Sequence, residues 1–375
     1  MKKWSNLVII VLFLLTIFTV PAVMAVTEDR DFSENENRYL AGKPKLFAGS
    51  IASGEFMRET ERYVDDQLLF REQLISLKTD LTLLTGCREV NGVYFGEEQY
   101  LFEKWTDQDF DADQLKGNMD AVNGFLKRHQ DQKISVMIVP TAGETLRNKL
   151  PKNAPMFEQS RAFDMLQDSL SDSLIDLRTI LKAHNTEYIF YKTDHHWTTR
   201  GAFLAYQKWC EDKASFVNQK DYRIEIAAED FQGSLYSKVL GKKRGQDTVE
   251  LYYWDDQPSY TVSYHFGKKE TESLYALDQL QKKDKYQVFL NGNHPEVTIR
   301  TENKNGKHLL VIKDSFANAF IPFLIGDYES IHVIDLRYYN GTIDSYMEEQ
   351  GISEVLFLYN IKNFCEDKNL SKMNP

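Results

Sequence analysis

Cysteine is nearly missing from this chain. Among 375 residues there are three, Cys87, Cys210 and Cys365, odd in number and far apart, so the chain is not a disulfide-stapled scaffold. No CxxC pair or Cys/His spacing suggests structural zinc, and no HExxH pattern suggests a metallohydrolase. A compact basic stripe is absent as well. Lys and Arg number 45 against 56 Asp and Glu, a formal net charge of −11, and nucleic acid is excluded as the expected partner. No internal repeat is visible. What is there, 42% hydrophobic and 13% aromatic residues, rules out a disordered or collagenous chain and supports one large domain with insertions or two modest ones.

One apolar run is long. Lys2 and Lys3 precede Leu7 to Val20, followed by Pro21-Ala22-Val23-Met24-Ala25. Residues 1–26 read either as a signal peptide cleaved after Ala25 or as an uncleaved anchor, since Leu7 to Val26 reaches the roughly 20 residues of a spanning helix. With the two lysines on the short side, the body is expected outside the membrane. Residues 27–54, polar and broken by Gly42, Pro44, Gly49 and Gly54, are expected as an extended leader, and residues 55–375 as the folded body.

Phe56 to Thr85 carries apolar residues at helical spacing (Phe56, Tyr63, Phe70, Leu74, Leu77, Leu81, Leu84) and ends at Gly86. Gln114 to His129 reads as a second helix. Strand-like and helix-like segments then alternate. Ile134 to Val139 is a strand, Glu158 to His184 mostly helix, Tyr188 to Tyr191 a strand and Thr198 to Cys210 a helix. Later come Leu309 to Lys313 (strand), Phe316 to Leu324 (helix), Ile331 to Leu336 (strand), Ile343 to Gln350 (helix) and Val355 to Tyr359 (strand). This alternation predicts an α/β fold, a parallel sheet covered on both faces by helices. Residues 213–305 break the rhythm with alternating segments such as Val249 to Trp254. They are expected as a β-rich insertion forming one wall of a cleft, with a separate binding domain as the alternative.

Asp194-His195-His196-Trp197 and Ser315 both lie where open α/β sheets place their chemistry, beyond strand ends. A serine hydroxyl needs a base with a pKa near neutrality to take its proton. A carboxylate on the far ring nitrogen then fixes the tautomer and steadies the imidazolium. At this spacing Asp194 and His196 can face one side while His195 points elsewhere. Ser315, opening a helix-like segment, would meet free backbone N–H groups that favour developing negative charge. Each element also has a plain reading. Ser315 and Asp194 are common helix caps, adjacent histidines can be metal ligands, and Trp197, Tyr252, Tyr253 and Trp254 can simply fill a core.

The tetrapeptide resembles the signature of the DHHW protein family, which is similar to the SGNH-hydrolase-like alginate O-acetyltransferase proteins of bacterial exopolysaccharide systems. The resemblance extends to Phe32-Ser33-Glu34-Asn35-Glu36-Asn37-Arg38, Asn91-Gly92-Val93-Tyr94-Phe95-Gly96, Gly233-Ser234-Leu235-Tyr236-Ser237, Ile312-Lys313-Asp314-Ser315-Phe316-Ala317-Asn318 and Asp335-Leu336-Arg337-Tyr338-Tyr339. It implies an SGNH-hydrolase-like sheet and a catalytic site with Ser315 as nucleophile, His196 as base and Asp194 as its orienter. Gly292 and Asn293 are the nearest candidates for an oxyanion site. His195, Trp197 and Arg337 are candidates to line the substrate, with Arg337 alternatively pairing with a carboxylate. The implied activity is transfer of acetyl groups onto cell-envelope or exopolysaccharide hydroxyls through an acyl-serine, outside the cytoplasm. A polysaccharide would be the acceptor and a membrane-bound O-acyltransferase the acetyl donor, with no cofactor and no metal. The same triad with water as acceptor gives a carbohydrate esterase (deacetylase), and a silent triad gives a non-catalytic cell-envelope assembly protein.

Overall fold

The structure, a computed structural model, describes residues 2–213, 221–241 and 245–373. The chain divides into two compact units, Met1–Asn91 with Tyr236–Lys243, and Gly92–Leu235 with Arg244–Pro375.

In the first unit, Lys2–Val26 is one helix, and its Asn6–Val26 stretch has a mean hydropathy of 2.9 with none of it buried. The sequence divides leader from body at residue 54, whereas the compact units divide at Asn91. The reason is a polar staple. Arg38 grips the Asp66 carboxylate at 2.9 and 2.5 Å, and Asp66 also accepts the Ala41 N–H at 2.9 Å. Ser33 and Asn35 donate to the two oxygens of Glu72 at 2.8 and 2.6 Å. The Phe32–Arg38 motif therefore ties the expected leader to the helices Glu55–Gln67 and Arg71–Leu84. Those two helices replace the single one expected over Phe56 to Thr85, the break falling where Phe70 takes a φ of 58°. Leu74, Leu77, Leu81 and Leu84 are exposed, because the second helix buries Ser76 and Thr79 instead, with the Thr79 hydroxyl donating to Val239 O at 2.7 Å.

The second unit is built on one sheet. Its strands are β1 (Lys133–Val139), β2 (Leu174–Asp176), β3 (Tyr260–Tyr264), β4 (Lys269–Thr271), β5 (Glu296–Thr301), β6 (His308–Lys313), β7 (Ser330–Ile334) and β8 (Glu354–Asn360). They run in the order β4-β3-β5-β7-β6-β8-β1-β2. From β7 to β2 the pairing is parallel, and β5, β3 and β4 are added antiparallel. Alternate side chains feed two cores: Met137, Val139, Leu309, Val311, Leu356 and Leu358 on one face, Val136, Ile138, Leu310, Ile312, Val355 and Phe357 on the other. Burial on both faces is why these strands are continuous apolar runs.

Helices α1 (Ala112–Arg128) and α2 (Ser160–Leu170) cover the second face, α1 through Leu115, Met119, Val122 and Phe125 at helical spacing. Asp111 caps α1 by accepting the Asp113 and Gln114 N–H groups at 3.0 Å each. Helix α3 (Thr199–Asp212) covers the first face through Ala202, Ala205 and Trp209.

Three local expectations change. Glu158 to His184 is not one helix. Ser171, at φ 45°, ends α2, and the following residues become the edge strand β2 and a short helix, Arg178–Ala183. Tyr188 to Tyr191 joins no sheet. Phe316 to Leu324 is a four-residue α-helix, Ala317–Phe320, running into the 3-10 turns Ile321–Gly326. Within the expected insertion 213–305, Arg223–Phe231 and Asp247–Tyr253 pair as an antiparallel hairpin, while β3, β4 and β5 extend the main sheet. Its stretches 214–220 and 242–244 lie outside the described residues.

Candidate active site

Asp194 is presented by a folded loop. Residues 188–198 close through a Phe190–Trp197 bridge, with Tyr191 N–H on His196 O at 3.2 Å and Thr198 N–H on Ile189 O at 3.0 Å. The apolar run that reads as a strand is instead wholly buried here, at Ile189, Phe190 and Tyr191. Its polar groups converge on Asp247, at the start of the hairpin's second strand. Asp247 accepts from the Tyr188 hydroxyl at 2.5 Å, from the Lys192 and Thr193 N–H groups at 2.7 Å each, and from the Thr193 hydroxyl at 2.5 Å. Burial pushes the Asp247 carboxyl up, and these four bonds oppose the shift. Gly233 closes the other side: a Cβ there would overlap the Asp194 side chain, and the next residue, Ser234, donates its N–H to Asp194 Oδ2 at 2.7 Å.

The loop meets the end of β6. Asp194 Oδ1 lies 2.6 Å from His196 Nδ1, and His196 Nε2 lies 2.7 Å from Ser315 Oγ. All three side chains are nearly enclosed, at 3%, 6% and 8% exposure for Asp194, His196 and Ser315. The two segments are 119 residues apart and are locked by groups on both sides. Trp197 donates its indole N–H to Phe316 O at 2.9 Å. Tyr286 lies flat on the His196 ring, centroids 3.8 Å apart and planes 8° apart, and its hydroxyl donates to Ser315 O at 3.1 Å. Asp314, beside the serine, accepts from Phe316 N–H, Asn360 N–H and Asn363 Nδ2 at 2.9, 2.8 and 2.7 Å. It holds the turn rather than joining the relay.

Electrostatics set the relay's resting state. Burial raises the Asp194 pKa, but the His196 and His195 imidazoles and the bonds from His196 and the Ser234 N–H outweigh it, leaving the carboxyl well below the usual range. For His196, burial and then the neighbouring His195 pull the pKa down to about 4, against the raising effect of Asp194, with Arg337 adding to the lowering. The ring is therefore neutral at pH 7, as a base must be.

Other predicted residues divide. His195 does not point away: its ring centroid is 3.9 Å from that of His196, and its Nδ1 is 2.7 Å from Ser234 Oγ. Trp197 is fully buried, so it stands behind the site instead of lining a substrate. Arg337 is paired with buried Asp335, Nε to Oδ1 at 2.8 Å and Nη2 to Oδ2 at 2.5 Å. Asn293 belongs to a neighbouring network and makes no bond to the triad. Its Oδ1 accepts from Lys313 Nζ at 2.7 Å and from Asn318 Nδ2 at 3.2 Å. Gly292, at φ 88°, supplies the turn before it. Burial lowers the Lys313 pKa to about 8, against the pull of Asp335. Asp194, His195 and His196 offer ligand atoms within 4.8 Å of one another. Both Asp194 oxygens and both His196 nitrogens are already engaged within the protein, so this donor set is a hydrogen-bonded relay more than an open metal site. Sequence reasoning missed Tyr286 and Asp247, which have no local motif, while Gly233-Ser234 was visible only as part of a shared pattern.

The family model described as DHHW protein matches residues 119–334, over half of the chain. Among solved structures, a DHHW family protein from Eubacterium siraeum is similar with a TM-score of 0.64 at 25% identity, covering 76% of this chain and 96% of that one. PatB1 from Bacillus cereus, solved with a sulfonyl adduct, gives 0.63 at 22% identity, covering 76% and 100%. The O-acetyltransferase domain of Pseudomonas putida AlgJ gives 0.45 at 16% identity, covering 76% and 96%. No curated protein sequence matches the chain. The fold is α/β, a large sheet with a parallel centre flanked by helices, as expected. With the Asp-His-His-Trp run, its serine partner and most of that sheet inside the matched stretch, the chain belongs to the DHHW protein family.

Proposed function

We propose that the protein is an extracytoplasmic O-acetyltransferase that moves acetyl groups onto carbohydrate hydroxyls through an acetyl-serine at Ser315. The observation that carries this reading is the continuous relay from Asp194 through His196 to Ser315, at 2.6 and 2.7 Å. His196 Nε2 takes the Ser315 proton as Oγ attacks the carbonyl carbon of a donor ester. The tetrahedral intermediate collapses, and the donor alkoxide leaves with the proton from His196. In the second half, a sugar hydroxyl gives its proton to His196 as its oxygen attacks the acetyl-serine, and Ser315 departs with that proton. Asn293, its Oδ1 held by Lys313 and Asn318, is the proposed oxyanion donor beside the Gly292 turn.

The serine, imidazole and carboxylate in hydrogen-bonded series support the acyl-transfer class, and the exposed apolar helix at the N-terminus supports action outside the cytoplasm. Acetyl-coenzyme A is absent there, so a membrane-bound O-acyltransferase is the proposed source of acetyl, and a polysaccharide the proposed acceptor. The test uses p-nitrophenyl acetate as donor, with and without soluble oligosaccharide. Acetylated sugar is the expected product. Free acetate alone, unaffected by any sugar, would make the protein a deacetylase-type esterase. Full acetylation by Ser315→Ala in cells would leave it a non-catalytic assembly protein.

A further inference from the structure

The helix Arg71–Leu84 is packed inside out. Its buried side chains are Ser76 and Thr79, while Leu74, Leu77, Leu81 and Leu84 are 48–81% exposed. At 3.6 residues per turn the four leucines fall within an arc of about 80°, with Ser76 and Thr79 on the opposite side. Phe70, just before the helix, is exposed as well. In the second unit the exposed large apolar side chains among the described residues are Ile224, Ile226, Phe266, Leu277 and Tyr338, with no such row on any helix. Single exposed apolar residues are ordinary, but a contiguous stripe marks a surface that meets an apolar partner.

The length of the tether points to what that partner is. Three residues after Val26, the end of the helix long and apolar enough to cross a membrane, Asp29 accepts from the Tyr63 hydroxyl at 2.7 Å. The Arg30 N–H donates to Gln67 Oε1 at 3.0 Å, and Gln67 Nε2 donates to Arg30 O at 2.9 Å. Ser33, seven residues after Val26, is bonded to Glu72 in the first turn of the leucine helix. An extended chain covers at most about 3.6 Å per residue, so that turn lies within about 25 Å of the end of the apolar helix. The stripe itself is about 15 Å long. Apolar exposure in the same stretch extends to Phe47, Ile51 and Met57 on or beside the two preceding helices, more than a single partner helix would cover. Residues 27–91 hold more acidic than basic side chains, so apolar burial, and not attraction to anionic headgroups, is the force available.

We propose that the Leu74–Leu84 stripe is a membrane-interface surface, laid into the lipid headgroup and upper acyl region beside the N-terminal anchor. The proposal rests on retention of helix Lys2–Val26 and is independent of the acyl-transfer reading. A stripe this short binds lipid reversibly, so the anchor supplies residence at the membrane and the stripe supplies orientation. Lys78, exposed at the edge of the stripe, can extend its ammonium to the headgroups while its stem stays among the leucines.

The experiment uses Cys87, the exposed one of the three cysteines and three residues past Leu84, as a labelling site that needs no substitution. Full-length protein is labelled there with an environment-sensitive fluorophore and reconstituted into phosphatidylcholine vesicles whose acyl chains carry nitroxide quenchers. Quenching is expected to exceed that of the Leu74→Ser/Leu77→Ser/Leu81→Ser/Leu84→Ser variant about threefold or more, and to be unchanged by high salt. Leu77→Glu alone, a smaller perturbation at an exposed position, is expected to reduce it in the same direction. Intact mass separates the premises. A chain cut after Ala25 has lost its anchor, and retention then fails together with this proposal. With the anchor in place, equal quenching in the wild type and both variants overturns the interface assignment alone. A Cys87–Cys87 cross-link formed by a short bismaleimide would assign the stripe to a second copy of the chain and likewise overturn it.

Discussion

His196 is held on three sides by different kinds of contact, and each makes a separate expectation. Asp194 accepts from Nδ1 and so sets the tautomer, Ser315 donates its hydroxyl to Nε2, and Tyr286 covers the ring face. Replacing Ser315 or His196 by Ala is expected to lower donor turnover by about 10⁴ or more, since triad members act as a unit. The pH profile tests the environment. His196 is held down near 4, so the acid limb of kcat/KM should lie well below 6.5. Tyr286→Leu admits water to the ring and should move that limb upward, whereas Tyr286→Phe keeps the stacking and should leave it in place. The same shift bears on stability. A histidine neutral in the fold and protonated once unfolded makes the unfolded state the stronger proton binder between about 4 and 6.5, so its contribution falls as pH drops through that window. Urea unfolding at pH 7 and pH 5 checks the direction. Gly233→Ala should abolish turnover, because its methyl would overlap Asp194.

At the scale of elements, the loop 188–198 is the unusual piece. It carries two of the three relay groups without a sheet strand beneath it, and buried Asp247 substitutes for a ladder by accepting four bonds. Asp247→Ala leaves at least two buried N–H groups unpaired, at about 1–3 kcal/mol each, and should lower the unfolding free energy by several kcal/mol with loss of turnover. A value within 0.5 kcal/mol of the wild type, a margin typical of surface changes, would mean that the loop is held by other contacts. The central strands were legible because β1, β6, β7 and β8 are buried on both faces and so read as unbroken apolar runs. Tyr188 to Tyr191 looked the same for a different reason, being core packing without strand pairing. The edge strand β2 was hidden inside a helical pattern, and the break at Ser171 has no glycine or proline to mark it. Asp194, His196 and Ser315 were readable from residue chemistry and shared motifs. Asp247 and Tyr286 were not, since what places them is tertiary pairing across 54 and 29 residues.

Across the whole molecule, the sequence carries two kinds of signal in separate stretches. The first unit holds, among the described residues, the one helix long and apolar enough to cross a membrane, and the second holds the relay. Full-length protein is expected in the membrane fraction if that helix is retained, and deletion of residues 2–26 should release it to the supernatant. The N-terminal sequence of the mature protein decides whether cleavage occurs after Ala25. The relay itself is tested most directly by peptide mass mapping after exposure to a sulfonyl fluoride, an electrophile that an activated serine attacks. One sulfonyl group on Ser315, sharply reduced in His196→Ala and absent in Ser315→Ala, is the expected result. An unmodified Ser315 in the folded wild type, or labelling unaffected by loss of His196, would contradict the account.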